Sequence, residues 1–306
     1  MVFWLSDAVK KIQGAFAPGC IVLLLALGSA SGARADTSHD DNDVQVDAGL
    51  TADDNVTRAK DGADKLSDSA VSVNVSLSRV VAVSEQSRLV WTGSIGAERF
   101  QNYRGLSRLG LTVEGEYQYR ESSEFDAPTL GVFAKFTAED FDSDLRDGYR
   151  YSLGISIRQP LTDRIGLFAA LAHNQRFGRS AVFDTMDSSV RFNLDYALTA
   201  RSTLYLGAEY RRGDIVSTGR ASLENVTISK VFVADDAFTG GQFFSYQLYG
   251  TTWLANVGYN ISLGPRSGLD FSWRRVESTP DLRPSWATSP KSYVANQLFA
   301  NYLLRF

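Results

Sequence analysis

The chain of 306 residues is poor in sulfur and in histidine. It has one cysteine, two methionines and two histidines. Cys20 lies near the start, so residues 36–306 contain no thiol that could mispair in an oxidising compartment. We find no clustered metal ligands, no phosphate-binding loop and no dinucleotide-binding motif. No cofactor is therefore expected.

A long apolar run is also missing. The most apolar stretch, residues 20–28, has about nine residues, whereas a membrane-spanning helix needs roughly 20. It follows Lys10-Lys11 and precedes Ala33-Arg34-Ala35, which is the pattern of a secretory signal peptide. We predict a signal peptide over residues 1–35 and a mobile acidic leader over residues 36–42.

An excess of positive charge is absent as well. The net charge is -4, and removal of residues 1–35, with three basic residues and one acidic residue, lowers it to -6. A strongly basic nucleic-acid-binding protein is therefore excluded, and no nucleic-acid partner is expected.

The residues that are present alternate between apolar and polar. The clearest case is the end of the chain, where Gln297, Asn301 and Arg305 are polar and the interleaved positions are apolar. Those apolar residues include Leu298, Ala300, Tyr302, Leu304 and Phe306. A period of two predicts a β-strand with one apolar and one polar face.

Twelve such strands are predicted between residues 43 and 306. They cover 43–50, 70–83, 89–97, 109–119, 130–136, 149–158, 165–177, 185–197, 203–212, 242–262, 269–276 and 291–306. Short turns near 84–87, 159–164, 199–202 and 263–268 alternate with longer connections, of which 213–241 is the longest. An even number of strands places both termini and every short turn on one side, which is the arrangement of membrane β-barrels.

The polar face is too polar to pack as the core of a soluble sandwich. The apolar face must then meet lipid, where an open sheet edge is not tolerated, so the sheet must close. We predict an all-β, closed, antiparallel transmembrane β-barrel over residues 43–306, with periplasmic termini. The charged residues predicted to line its lumen are Glu98, Glu114, Glu116, Lys135, Arg150, Arg158, Arg191, Asp195, Glu209, Arg211, Arg274 and Arg305.

Two stretches resemble the porin-type outer-membrane β-barrels of Gram-negative bacteria, a broad group with some members associated with exopolysaccharide export. They are Asp53-Asp54-Asn55-Val56-Thr57-Arg58, after the first strand, and the closing strand with its terminal Phe306. The resemblance implies contact with outer-membrane lipid and lipopolysaccharide. It also implies that the barrel-assembly machinery reads a C-terminal signal formed by Leu298, Tyr302, Leu304 and Phe306.

Three functions follow from a barrel with charges of both signs inside. The first is a passive pore or export conduit for small polar solutes or polysaccharide. The second is a structural or adhesive barrel with a closed, salt-bridged lumen. The third is a lipid-modifying enzyme. The connection 213–241 could fold inward as a constriction or stand out as a binding surface.

Catalytic and metal sites have little support in the sequence. His39 lies in the leader, and His173 is predicted on the lipid-facing side, followed by Asn174 and Gln175 without the serine two residues on that barrel phospholipases use. We therefore predict no catalytic residue and no enzyme. The acidic stretches 53–54 and 139–147 match no calcium-binding loop, and we interpret them as solvated surface that bridges through cations to lipopolysaccharide phosphates.

Overall fold

The computed structural model describes residues 42–60, 62–122, 124–238 and 242–306. The predicted signal peptide, nearly all of the predicted leader and His39 lie outside the described residues. The strands are β1 (Asn42–Asp53), β2 (Asp68–Ala82), β3 (Ser87–Phe100), β4 (Arg108–Arg120), β5 (Thr129–Phe141), β6 (Gly148–Thr162), β7 (Ile165–Gly178), β8 (Thr185–Thr199), β9 (Ser202–Arg220), β10 (Val231–Ala234), β11 (Phe243–Gly264), β12 (Ser267–Pro280) and β13 (Tyr293–Arg305).

Helical structure is confined to short pieces in the described residues. One α-helix, α1, spans Leu223–Ile228, and three 3-10 turns span Arg104–Leu106, Asp144–Arg146 and Ala181–Phe183. None of these helices has the length and apolar character needed to span a membrane.

Twelve of the strands form one closed ring. Each pairs antiparallel with its neighbour in the order β1 to β9, β11, β12 and β13, and β13 pairs back with β1 from Gln45↔Arg305 to Asp53↔Gln297. The ring therefore has no free sheet edge. The predicted closed antiparallel barrel of about twelve strands is confirmed. The additional strand, β10, pairs with the first residues of β11, Phe244–Gln247, and with no other strand in the described part of the chain.

The alternation in the sequence gives the barrel wall two distinct faces. In β2, for example, Val71, Val73 and Val75 point to one side, and Ser72 and Asn74 to the other. The β-branched residues suit a pleated strand. Because direct cross-strand partners share a face, the register carries this division from strand to strand around the ring.

The polar face is the concave one. Arg158 on β6 reaches Glu116 on β4 across the intervening β5, at 2.8 Å, and Tyr205 on β9 reaches Asp270 on β12 across β11, at 2.9 Å. Side chains from next-but-one strands converge in this way only inside a curved sheet. The polar face therefore surrounds a lumen.

The convex face is apolar and exposed. Its exposed large side chains occur on every strand of the ring and include Leu50, Leu77, Trp91, Leu111, Val132, Leu153, Leu171, Phe192, Leu206, Trp253, Phe271 and Leu298. An apolar surface of this extent, wrapped around the whole ring, is suited to lipid rather than to water.

The barrel has two unlike rims. The turn rim carries the chain end at Phe306 and the connections at 83–86, 121–128, 163–164, 200–201 and 265–266. The loop rim carries the connections at 54–67, 101–107, 142–147, 179–184 and 281–292, and the longest one, between β9 and β11.

The longest connection is where the structure departs most from the predicted elements. β9 continues to Arg220 instead of ending at 212, and both α1 and β10 lie inside the segment that was expected to be a loop. α1 begins after Ser222, whose hydroxyl accepts a hydrogen bond from the backbone N–H of Asn225 at 3.5 Å. One helical turn and a strand of four residues are too short to produce a recognisable period.

Candidate functional site: a charged lumen beneath a lid

The ends of β9 and β11 leave the barrel wall together. We call residues 214–238 and 242–249 the lid. It begins beyond the cross-strand pair Gly213↔Gly250, at the level where β8 begins and β12 ends. Gly213 has a φ of 155°, and a Cβ there would lie 2.2 Å from the carbonyl oxygen of Met186. A Cβ on Gly250 would lie 2.2 Å from the carbonyl oxygen of Thr279. Glycine at both positions allows the hairpin to depart from the wall.

The lid touches each of the five other connections of the loop rim. The contacts are Thr218 N to Thr57 O (2.8 Å), the Phe238 ring to the Tyr103 ring (5.3 Å), Asp235 to Arg146, Gln247 to the carbonyl of Asp184, and Glu224 to Ser289 (2.8 Å). Because these connections are distributed around the rim, a segment that contacts them all must cross the mouth of the barrel. The sequence left two conformations open for 213–241, and the described part, 213–238, has the inward one.

Asp235 is the main polar anchor of the lid. Its side chain is fully buried and pairs with Arg146. It also accepts hydrogen bonds from the Ser245 hydroxyl at 2.6 Å and from the backbone N–H of Ala237 at 3.0 Å. A buried carboxylate needs such a set of donors to offset the loss of water. The arrangement therefore fixes the lid in one position.

Arg146 reaches Asp235 from the β5–β6 connection. Its guanidinium carbon lies 4.4 Å from the centre of the Phe183 ring and 5.8 Å from that of Phe238. Burial lowers the pKa of Arg146, and the neighbouring carboxylates of Asp235 and Asp236 act in the opposite direction. Arginine remains charged in proteins, so the contact is an ion pair enclosed by aromatic rings.

Apolar contacts hold the lid in two places. One cluster joins Ile215, Ile228, Tyr246 and Leu248 of the lid to Tyr293 of β13. The other joins Ala237, Phe238 and Phe243 to the partly buried Val56, Leu66, Tyr103 and Leu106. A Cβ on Gly105 would lie 2.4 Å from the Cα of Ala237, so the absence of a side chain at residue 105 lets the two backbones meet.

The Asp53–Arg58 motif forms the part of the rim that receives the lid. Asn55 is 1% exposed; its side-chain amide donates to the carbonyls of Ala59 and Val294, both at 2.8 Å, and its oxygen accepts from the Thr57 hydroxyl at 2.8 Å. The loop is thereby tied to β13. Its carbonyl groups at Thr57 and Arg58 are left free for the lid, and they accept from Thr218 N and the Ser217 hydroxyl.

The acidic stretches 53–54 and 139–147 were interpreted as solvated surface. This interpretation is wrong for the first residue of each stretch, Asp53 and Glu139. Asp53 is buried and pairs with Arg58 at 2.7 Å. Glu139 is buried among Arg108 at 2.8 Å, Arg150 at 3.5 Å and Arg176 at 3.8 Å. The strands extend further than predicted, so both residues belong to the barrel wall. Asp53 also accepts a hydrogen bond from Gln297 on the adjacent β13 at 2.8 Å, and Arg108 and Arg150 lie on the two strands adjacent to Glu139. Within the described residues no group of three potential metal ligands occurs.

The register places all twelve predicted lumen residues on the concave face. Three pairs among them are joined: Glu116 to Arg158 at 2.8 Å, Glu114 to Lys135 at 3.6 Å and Glu209 to Arg211 at 2.6 Å. Glu98 pairs with Arg108, Arg150 with Glu139, and Arg305 hydrogen-bonds Gln45. Asp195 lies opposite Gly166 and Tyr205.

Three of the predicted cations, Arg158, Arg191 and Arg274, lie over aromatic rings. The guanidinium carbon of Arg191 is 5.1 Å from the centre of the Phe168 ring, which Arg158 also approaches, at 5.0 Å. Arg274 lies 5.0 Å from the centre of the Phe299 ring. Within the described residues neither Arg191 nor Arg274 has a carboxylate within salt-bridge distance.

Sequence reasoning missed several residues of this face. Arg108 and Glu139 lie on the polar side of their strands, at strand ends that were assigned to loops. Arg176 lies on the polar side of the predicted strand 165–177 and was not named. Phe168 and Phe299 were missed because an inward-facing phenylalanine contradicts a simple polar-in pattern. Both rings lie beneath arginines, which accounts for an aromatic side chain on the polar face. The alternation along β7 and β13 places both residues on that face and could have identified them.

Much of the concave face remains open to solvent. The side chains of Arg150, Arg158 and Lys135 are 47%, 44% and 42% exposed, although all three point into the ring. Side chains that filled the interior would be buried instead. The lumen between these residues is therefore accessible to water.

A His–Ser contact on the convex face was also missed. His173 on β7 lies directly opposite Ser188 on β8, and its Nδ1 is 3.3 Å from the Ser188 hydroxyl. Arg212 on β9 lies directly opposite Ser188 on its other side. The search for a serine two positions after His173 could not find this partner, since only the strand register brings it close.

Comparisons with known proteins support the fold. No family model and no curated protein matches the chain. An outer membrane channel from Pseudomonas putida F1 has a TM-score of 0.54 at 12% identity, over 87% of this chain and 95% of that one. The KdgM porin in complex with disordered oligogalacturonate gives 0.45 at 12% identity, over 86% and 99%. The NanC porin gives 0.41 at 9%, over 86% and 100%. At such identities the similarity concerns the fold alone.

Proposed function

We propose that residues 43–306 form an outer-membrane pore for small polar solutes. The loop rim faces outward and the turn rim faces the periplasm. The observation that carries this proposal is the solvent-exposed charge inside the ring. Twelve strands lie between the eight that side chains can fill and the sixteen that leave a wide channel. The exposed apolar band and the C-terminal strand support an outer-membrane location.

The lid narrows the outer end of this pore. It crosses the mouth, and solutes would pass between the lid and the barrel wall. Export of a polysaccharide through the same route would require the lid to move, because its buried contacts occupy the mouth. Small solutes are therefore the cargo that the geometry supports best.

The alternative is a structural barrel with a closed lumen, and the buried contacts of the lid favour it. Planar-bilayer recordings on the wild type and on a lidless variant separate the two functions. In the lidless variant a two-residue Asn-Gly turn joins Gly213 directly to Gly250, which are already cross-strand partners.

A pore predicts conductance steps in both proteins, with larger steps in the lidless one. A closed barrel predicts no steps in the wild type and clear steps without the lid. If neither protein conducts, the lumen itself is plugged, and the pore proposal fails.

One contact favours a second candidate function, acyl hydrolysis of lipid at the convex face. Ser188 would be the nucleophile and His173 its base. Among the described residues no carboxylate is hydrogen-bonded to the other ring nitrogen of His173, so the geometry supports the pore better. Fatty-acid release from phospholipid micelles tests it: activity must be present in the wild type and lost in both Ser188→Ala and His173→Ala.

A further inference from the structure

A row of polar side chains crosses four neighbouring strands on the concave face. It consists of Arg274 on β12, Asn256 on β11, Gly207 on β9 and Asn193 on β8, and each is the direct cross-strand partner of the next. Arg191 lies two positions from Asn193 on β8, nearer to the loop rim and about 7 Å away along the strand. An arginine is thus present at both ends of a neutral middle part.

Gly207 lets the two carboxamides of the row approach each other. A Cβ at residue 207 would lie 2.8 Å from Oδ1 of Asn193 and closer still to Oδ1 of Asn256. The three atoms nearest to that position include no amide nitrogen, so both NH2 groups are directed away from Gly207. Any side chain at this position would displace both amides, and a glycine is therefore required by the close approach.

The polar groups of the row are free and accessible. The side chains of Asn193 and Asn256 make no hydrogen bond to the described residues, and none of their polar atoms is among the buried unpaired ones. Both residues are partly exposed, and Arg191 and Arg274 are exposed. Because all four lie on the concave face, a solute in the lumen can reach them.

The two arginines are held in place without the use of their N–H groups. Their guanidinium carbons lie 5.1 and 5.0 Å from the centres of the Phe168 and Phe299 rings. A cation–π contact orients a guanidinium group and leaves its N–H donors available. Each arginine can therefore bind a carboxylate through two parallel hydrogen bonds.

Positive charge is in excess on this arc of the lumen. Arg191 and Arg274 have no carboxylate partner, whereas Asp195 is the one inward carboxylate of β8, β9, β11 and β12 without a partner among the described residues. The others are occupied: Glu209 pairs with Arg211 at 2.6 Å, Asp270 accepts from Tyr205 at 2.9 Å, and Asp187 accepts from Asn174 at 2.8 Å. The row therefore favours an anion over a cation.

The spacing and the donors narrow the class of anion. Guanidinium and NH2 groups donate hydrogen bonds, and hydroxyl oxygens can accept them from the amides between the two arginines. Arg274 and Asn193 are three strand spacings apart, about 14 Å between their Cα atoms, and their inward-pointing side chains shorten this span. A short carbon chain with hydroxyl groups along it and a carboxylate at one or both ends matches this order of groups.

We propose that the row binds a small polyhydroxylated carboxylate, such as an open-chain sugar acid. One carboxylate binds Arg274, the hydroxyl groups accept from Asn256 and Asn193, and a second carboxylate, where the solute has one, binds Arg191. This inference rests on the proposed pore, because the solute must enter the lumen. It narrows the small polar solutes of that proposal to anionic ones.

Saturation-transfer NMR titrations on the full-length barrel, in a detergent without a sugar headgroup, test the proposal. The probes sorbitol, gluconate and glucarate share one open carbon chain and carry no, one and two carboxylates. We expect glucarate to bind more tightly than gluconate, and gluconate at least tenfold more tightly than sorbitol. Adipate, a dicarboxylate without hydroxyl groups, should bind more weakly than glucarate.

Three variants test the named residues. Arg274→Met and Arg191→Met keep a side chain over each ring and remove the charge, and each should weaken glucarate binding at least tenfold. Gly207→Ala leaves every charge in place but displaces the two amides, so it should weaken gluconate and glucarate binding alike.

Matched controls are available on the same face. Arg88→Met removes an exposed arginine of β3 that donates to Gln118 at 2.7 Å, and Gly166→Ala adds a Cβ on β7 where nothing lies within 4 Å. Both variants should bind glucarate as the wild type does.

The outcomes separate this proposal from the pore. Equal affinity for sorbitol and gluconate, or glucarate binding that survives both arginine variants, would overturn the proposal. If the wild type conducts salt but binds none of the probes, this inference fails and the pore stands. Arginine-dependent glucarate binding by a wild type that does not conduct would support the site and overturn the pore.

Discussion

The contact between the lid and the loop rim, called the seam below, and the lumen wall contain the same kinds of ion pair in opposite environments. At the seam, the side chains of Arg146 and Asp235 are 12% and 0% exposed. In the lumen, those of Lys135 and Glu114 are 42% and 39% exposed. A buried pair requires its partner, because either charge alone would be stranded away from water. An exposed pair can exchange its partner for water at little cost.

This difference assigns different roles to the two regions. The seam determines one position of the lid, since its polar groups have no alternative partners. The lumen wall has charges that remain available to a passing ion or solute. Glu116 is intermediate: it is buried and accepts from Arg158, Ser156 and Gln118 at 2.7 to 2.8 Å. It therefore belongs to the wall rather than to the pathway.

The largest effect is predicted for Asp235→Ala at the seam. Removal of the carboxylate leaves Arg146 buried without its ion-pair partner, and breaking a buried pair in this way costs about 3–5 kcal/mol. Docking of the lid should weaken while the barrel stays folded. Hydrogen–deuterium exchange of α1 and β10 should accelerate, and conductance in bilayers should rise.

The control for this variant is Asp144→Ala on the same connection as Arg146. Asp144 is exposed and pairs with an exposed Arg179 at 3.4 Å. Its loss should leave exchange in α1 and β10 unchanged. Equal acceleration in both variants would mean that the general charge of the rim, and not the buried pair, holds the lid.

A smaller effect is predicted for Asn55→Ala in the motif that receives the lid. The substitution leaves the carbonyls of Ala59 and Val294 without their donor. Each buried group left unsatisfied costs about 1–3 kcal/mol. Exchange should accelerate in the β1–β2 connection and in the lid together. Asn296, whose amide makes a solvent-exposed hydrogen bond to Asp54, provides the control; Asn296→Ala should affect neither segment.

The barrel could be predicted from the sequence because its wall separates two solvents. Lipid on one side and water on the other impose a period of two on each strand. The lid part of β9 could not, because it is buried on both faces: the neighbouring residues Ser217 and Thr218 are both buried. The alternation disappears there, so the predicted strand stopped at residue 212, whereas the lid part of β11 lay within the predicted strand 242–262.

The contacts of the candidate sites depend on information that periodicity does not contain. The alternation of apolar and polar residues identified the concave face. The pairing of Glu116 on β4 with Arg158 on β6 could be predicted only if the order of the strands around the barrel were known. The contact between His173 and Ser188 requires the register of β7 and β8. Each of these is a long-range property of the folded chain.

In the lumen we predict an effect on ion selectivity and almost none on stability. Arg191→Ala and Arg274→Ala remove cations that lie over Phe168 and Phe299. The stability change should stay within about 0.5 kcal/mol for sites open to solvent. The reversal potential in a salt gradient should shift toward cation selectivity in each variant, and further in the double variant. An unchanged potential would mean that ions do not pass these residues.

The smallest effect is predicted for the exposed pair Lys135 and Glu114. Exposed ion pairs contribute about 0–1 kcal/mol, so Glu114→Gln and Lys135→Met should unfold at nearly the wild-type denaturant concentration. The double variant should equal the sum of the single ones, because a pair 3.6 Å apart in water has little coupling energy. A coupling as large as that expected at Asp235 would mean that the lumen is dry at this level. It would then remove the contrast between the two regions and favour the closed barrel over the pore.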